Sequence, residues 1–182
     1  MIEYVAEPKS RAEIRSITMA FRKFLHLNNK VYFPIVELLD IFCELWDDFS
    51  YEIVDDSTFP PNVHADTDVL RHHIRIKQSV YEGAVSGNGR DRMTIAHEVA
   101  HYFLMCFCGF SFQRNFTEKK IPAYCSPEWQ AKCFAGELLI PFDLTKDMSP
   151  SEIAECCGVS VAAASYQYMI MHDRKGVVSN ED

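Results

Sequence analysis

The sequence predicts an α+β domain, a small mixed or antiparallel sheet packed on helices around one largely buried helix. Three observations carry that expectation. The run Arg92 to Leu104 is largely apolar, with no Pro and no Gly, as a buried helix requires. Four other segments repeat apolar residues at helical spacing, most of them behind a recognisable start signal. Tyr51–Val54 and the stretch from Asp68 to Ala84 have strand character instead. A chain of 182 residues fits one domain, and 48% hydrophobic residues suffice for its core. The expected division is a main body over 1–145 and a C-terminal helical hairpin with a polar tail over 146–182.

Residues 1–9 read as an unstructured lead. Ser10-Arg-Ala-Glu13 is a capping-box pattern, followed by Ile14, Ile17, Phe21, Phe24 and Leu25 at helical spacing. Arg15, Arg22 and Lys23 fall on the other side, as a solvated face or a contact for an acidic partner. Asn28-Asn29 ends this helix. Pro34 opens a second through Ile35, Leu38, Leu39, Phe42 and Leu45, which reads as core. The segment from Asp68 to Ala84 is cationic through Arg71, His72, His73, Arg75 and Lys77. A charged edge strand guards against aggregation; the same free edge can also bind an extended polypeptide.

Gly83, Gly87 and Gly89 surround a turn into the central helix, with Asp91 as its candidate N-cap and Cys108-Gly109 as its end. Residues 111–125 read as an irregular connection. Ser126-Pro127 then starts a helix that Pro141 stops, and Ala131, Ala135 and Gly136 let it approach a neighbour closely. Ser149-Pro-Ser-Glu152 is a second capping box. Ala154-x-x-x-Gly158-Val-Ser160 has helix-turn-helix spacing. Residues 161–171 carry no Lys or Arg for phosphates, so the hairpin reads as a packing or docking element and not a DNA reader.

The chemistry sits in the central helix. His97-Glu98-x-x-His101 places two imidazoles one turn apart on one helix face, where both can reach a single metal ion. Glu98 projects from the edge of that face, placed to take a proton from water. The bland alternative is an amphipathic helix whose polar stripe spells the motif. Its apolar surroundings argue against that, because a buried His-Glu-His cluster without a partner is costly. Catalytic zinc takes three protein ligands, so a third is expected. Glu128, 27 positions after His101, lies in the first turn of a closely packing helix whose N-terminus favours its ionised form. It can also be read as a plain complement to the helix dipole. Glu137, more than two turns along the same helix, is the rival.

The blocks Gly89-Arg-Asp-Arg-Met-Thr-Ile-Ala-His-Glu-Val-Ala-His101-Tyr and Glu128-Trp-Gln-Ala-Lys-Cys-Phe-Ala-Gly-Glu-Leu-Leu-Ile-Pro141 together resemble the ImmA/IrrE metallo-endopeptidase family. The resemblance extends over roughly residues 10 to 170. It implies a zincin-like, gluzincin-type core with Zn2+ held by His97, His101 and Glu128, and Glu98 as general base. It also implies a protein substrate, often a helix-turn-helix repressor. Three positions depart from the family pattern. Lys132 stands where Asn or Asp is usual, Met93 where Phe is, and Ala100 where Gly is. A lysine cannot accept a hydrogen bond from a ligand histidine as a carboxylate or amide would.

A net charge of −8 argues against general nucleic-acid binding. No run is long enough to span a membrane, and the N-terminus lacks a signal peptide's basic start and apolar core, so a cytoplasmic location is expected. The seven cysteines read as reduced, half-buried small hydrophobes, with a cysteine metal site as the alternative. His72, His73, Tyr102 and Tyr124 are candidate oxyanion donors. Two further classes stay open, a metal-binding sensor without useful turnover and a toxin–antitoxin-like component that acts by binding.

Overall fold

The computed structural model describes residues 3–108, 113–115 and 121–172. The chain is mixed α+β, with a small sheet and eight α-helices among the described residues. Strand β1 (Glu3–Val5) pairs antiparallel with β5 (Gln113–Asn115), so the lead expected to be unstructured contains a short strand. Helix α1 (Arg11–Phe24) begins at the predicted capping box, with Ser10 and Glu13 exchanging hydrogen bonds. It ends at Phe24, several residues before Asn28.

The basic face of α1 is not simply solvated. Arg22 is buried and donates to the carbonyls of Leu138, Lys30 and Leu27. Leu138 lies in the last turn of another helix, where carbonyls have no partner of their own, so the guanidinium satisfies one of them. Arg15 reaches a buried carboxylate, Glu137. Helix α2 (Glu37–Leu45) starts a few residues after Pro34 and buries Leu38, Leu39 and Phe42.

The main sheet has the order β2-β4-β3, with β2 at Ser50–Val54, β3 at Ala65–Asp68 and β4 at His73–Lys77. β2 runs parallel to β4 (Tyr51 opposite Ile74), and β3 runs antiparallel to it (Thr67 opposite Ile74). Two expectations need correction here. The cationic segment is the central strand and not an edge; the edge beside it is β3. Strand structure also stops at Lys77, and Gln78–Val85 forms helix α3. Val80 and Ala84, one helical turn apart, are both buried, a helical spacing inside what reads as a longer strand.

Helix α4 (Gly89–Phe107) is the long central helix. Its N-cap is Asn88 and not Asp91; the Asn88 side chain accepts from the backbone N–H groups of Arg90 and Asp91. Gly89 is required by close approach, since a Cβ there would lie 2.3 Å from the Val159 carbonyl carbon. Arg92, fully buried, ties α4 to the C-terminal region by donating to Gly158 O and Phe33 O at 2.8 Å each, and also to the Tyr32 hydroxyl. Helix α5 (Pro127–Leu139) starts at Ser126, whose hydroxyl accepts from Trp129 N, as predicted.

The short α6 (Phe142–Thr145) follows Pro141. Then α7 (Pro150–Cys157) carries the second capping box and ends on Gly158 with φ +62°, and α8 (Val161–His172) completes the described chain. Helices α4 and α5 pack most extensively, with Ala131 and Ala135 buried between them. One hydrophobic core runs from Ile14 through Phe42, Val99 and Phe134 to Ile153 and Ala164, so it includes α7 and α8. No helix among the described residues is long and apolar enough to cross a membrane. The polar tail from Asp173 lies outside the described residues.

Candidate metal centre

Helix α4 is buried on most sides, yet His97 and His101 stay partly open because they face a cleft and not the core. Their four-residue spacing sets the rings edge to face on one side of the helix, and the two Nε2 atoms lie 3.1 Å apart. The first turn of α5 brings Glu128 to both: Oε2 is 3.3 Å from His97 Nε2 and Oε1 is 3.1 Å from His101 Nε2. Donors about 2.0–2.1 Å from a tetrahedral ion stand about 3.3 Å from one another. The contacts of 3.1–3.3 Å lie near that spacing, with a different Glu128 oxygen facing each imidazole, and two imidazoles with a carboxylate are a common donor set for zinc. Among the described residues this is the one group of three that could hold a metal ion, and it contains no cysteine. All seven cysteines are free thiols.

Glu128 is held well below the usual carboxylate range, first by its hydrogen bond with His101 and then by that with His97, against partial burial. It therefore stays ionised, which is the form a metal ligand needs. Glu137 has a different role. Its side chain is 0% exposed and accepts from Arg15 Nε at 2.8 Å, Arg15 Nη2 at 3.1 Å and Gln167 Nε2 at 2.9 Å, with Arg11 at 3.5 Å. It is a structural anchor joining α1, α5 and α8.

Glu98 is buried beside the two histidines, and the edge strand fixes it. Thr67 Oγ1, in the middle of β3, lies 2.7 Å from Glu98 Oε2 and donates to it; the same hydroxyl lies 3.2 Å from the Glu98 carbonyl. A cleft of about 1040 Å³ opens over this wall. It is lined by β3, α4, α5 and α8, and it contains His97, Glu98, His101 and Glu128.

The candidate oxyanion donors are not brought to the cleft. Tyr102 is buried against Phe42 and Phe49. His72 sits beside Asp48, His73 beside Ser50 and Glu52, and Tyr124 is exposed elsewhere. Lys132 lines the cleft, as its place one turn after Glu128 suggests. Thr67, Arg90 and Tyr166 line it too and were not anticipated. β3 reads Ala-Asp-Thr-Asp, and Asp is depleted in strands, so no sequence signal marks Thr67 as a neighbour of Glu98.

The fold and this cluster together define a mixed α+β chain with a His-His-Glu donor set and a buried glutamate on one wall of an open cleft. No protein-family model matches the chain, and no curated protein matches it either.

Proposed function

We propose that this chain is a zinc-dependent endopeptidase with a zincin-like core of the ImmA/IrrE type. One observation carries the reading: three donors at metal-ligand separations share a cleft wall with a buried, hydrogen-bonded glutamate. His97, His101 and Glu128 would hold the ion. A bound zinc supplies Lewis acidity, which acidifies water and polarises a carbonyl. Glu98 takes a proton from a water molecule in the cleft as its oxygen bonds to the carbonyl carbon. The C–N bond then breaks, and Glu98 gives that proton to the leaving amine nitrogen. Thr67 holds the carboxylate in place through both transfers. Strand β3, at the edge of the sheet beside α4, suits an extended polypeptide laid along the cleft. The resemblance supports a protein substrate, a helix-turn-helix repressor in particular.

Glu98→Gln tests the reading. The amide is nearly isosteric but cannot take the proton, so metal content and folding should persist while cleavage of the repressor falls about a hundredfold to ten-thousandfold. Chelator should abolish cleavage by the wild type. A second reading, a metal-binding sensor that acts without turnover, is motivated by Lys132 beside Glu128. Under that reading Glu98→Gln would keep its full regulatory effect in a cell, and the peptidase reading would be abandoned.

A further inference from the structure

The cleft has an uneven balance of charge. Its three carboxylates are all committed: Asp66 to Arg75 Nε at 3.0 Å, Glu98 to Thr67, and Glu128 to the two histidines. Arg11 is engaged as well, by Glu137. Two exposed cations remain uncompensated. Lys132 makes no hydrogen bond or ion pair with a described residue. At four residues past Glu128 it would normally pair with that carboxylate across one helical turn, but Glu128 is turned into the histidines instead. Arg90 meets no carboxylate among the described residues, only the His64 ring at 3.4 Å. Lys132 and Arg90 are thus the two cleft cations with no carboxylate partner among the described residues, in a chain of net charge −8. Met93, Met105, Val69 and Trp129 add apolar lining to the same cleft.

We propose that the cleft selects acidic polypeptide segments, with Lys132 and Arg90 receiving Asp or Glu side chains. This names the substrate class of the peptidase reading and rests on it. The two cations lie at different distances from the ligands. Lys132 stands one turn, about 6 Å, past Glu128, and Arg90 stands two turns, about 10 Å, before His97. An extended chain advances about 3.3 Å per residue. Each spacing amounts to a few residues of extended chain, so both cations are within reach of residues near the scissile bond.

A randomised peptide library tests this with zinc-loaded protein. Cleavage products are sequenced for the wild type, and peptides retained on immobilised Glu98→Gln are sequenced in parallel. Asp and Glu should be enriched about three- to fivefold near the scissile bond, less so at high salt. Lys132→Glu should replace that enrichment by Lys and Arg at its position, and Lys132→Gln should remove it; both sites are exposed, and zinc content checks that the centre is intact. Acid-selective retention without any cleavage would uphold the selectivity and overturn the peptidase reading alone. Neutral or basic enrichment with the wild type, no retained peptides, or an unchanged preference in Lys132→Glu would overturn the selectivity.

Discussion

Glu128 and Glu137 lie on the same helix nine residues apart, and the structure gives them opposite consequences when removed. Glu137→Ala takes away a fully buried carboxylate that holds Arg15 through two hydrogen bonds, Gln167 through one, and Arg11 nearby. Breaking a buried pair by deleting one partner costs about 3–5 kcal/mol, because the other charge is left uncompensated. The Arg15 side chain is 24% exposed and can relax toward water, which puts the expected loss near the lower limit, about 3 kcal/mol. For a domain of this size that corresponds to a fall of about 6–12 °C in melting temperature. Urea unfolding of the metal-free protein measures the loss, and elemental analysis of the folded variant measures zinc. Glu137→Ala should be destabilised yet bind close to one equivalent. Glu128→Ala should unfold nearly as the wild type does without metal, since that side chain is 63% exposed, but should bind zinc weakly. The reverse pattern, zinc lost from Glu137→Ala and kept by Glu128→Ala, would show that the wrong carboxylate had been assigned to the centre.

His97→Ala or His101→Ala should abolish zinc binding, and full occupancy in the double variant would refute the centre. Zinc at a hundredfold excess over its dissociation constant should raise the wild type's stability by about 2.7 kcal/mol, and the double variant should show no such shift. Thr67→Val should slow cleavage about tenfold or more through loss of a hydrogen bond to a charged group, with zinc content unchanged, and Thr67→Ser should restore it. Equal rates for all three would remove Thr67 from the base's support. Gly158→Ala should cost about 1 kcal/mol or more in unfolding experiments, because φ is +62° and the new Cβ would lie 2.8 Å from the Tyr32 ring. The chain alone should show no sequence-specific binding to duplex DNA in a mobility-shift titration, given its acidic balance and a cation-free segment 161–171.

The sequence by itself determined the elements whose signals are local. Capping boxes at Ser10 and Ser149 and the Ser126-Pro127 start are satisfied within one turn, so residue identity settles them. The His97–His101 spacing is equally local, because a helix converts a separation of four into a shared face. Tertiary structure decided what depends on partners far along the chain. Arg15 and Arg22 read as a solvent face until Glu137 and the Leu138 carbonyl arrive, more than a hundred residues later in the chain, to bind them. The role of Glu137 likewise needed the positions of α1 and α8, since Arg15 and Gln167 on those helices are what hold it. The place of His73–Lys77 in the middle of the sheet was hidden because β3 carries two aspartates, a poor strand signal overridden by pairing with β4. The same pairing seats Thr67 on Glu98, a contact between side chains 31 residues apart that no periodicity encodes.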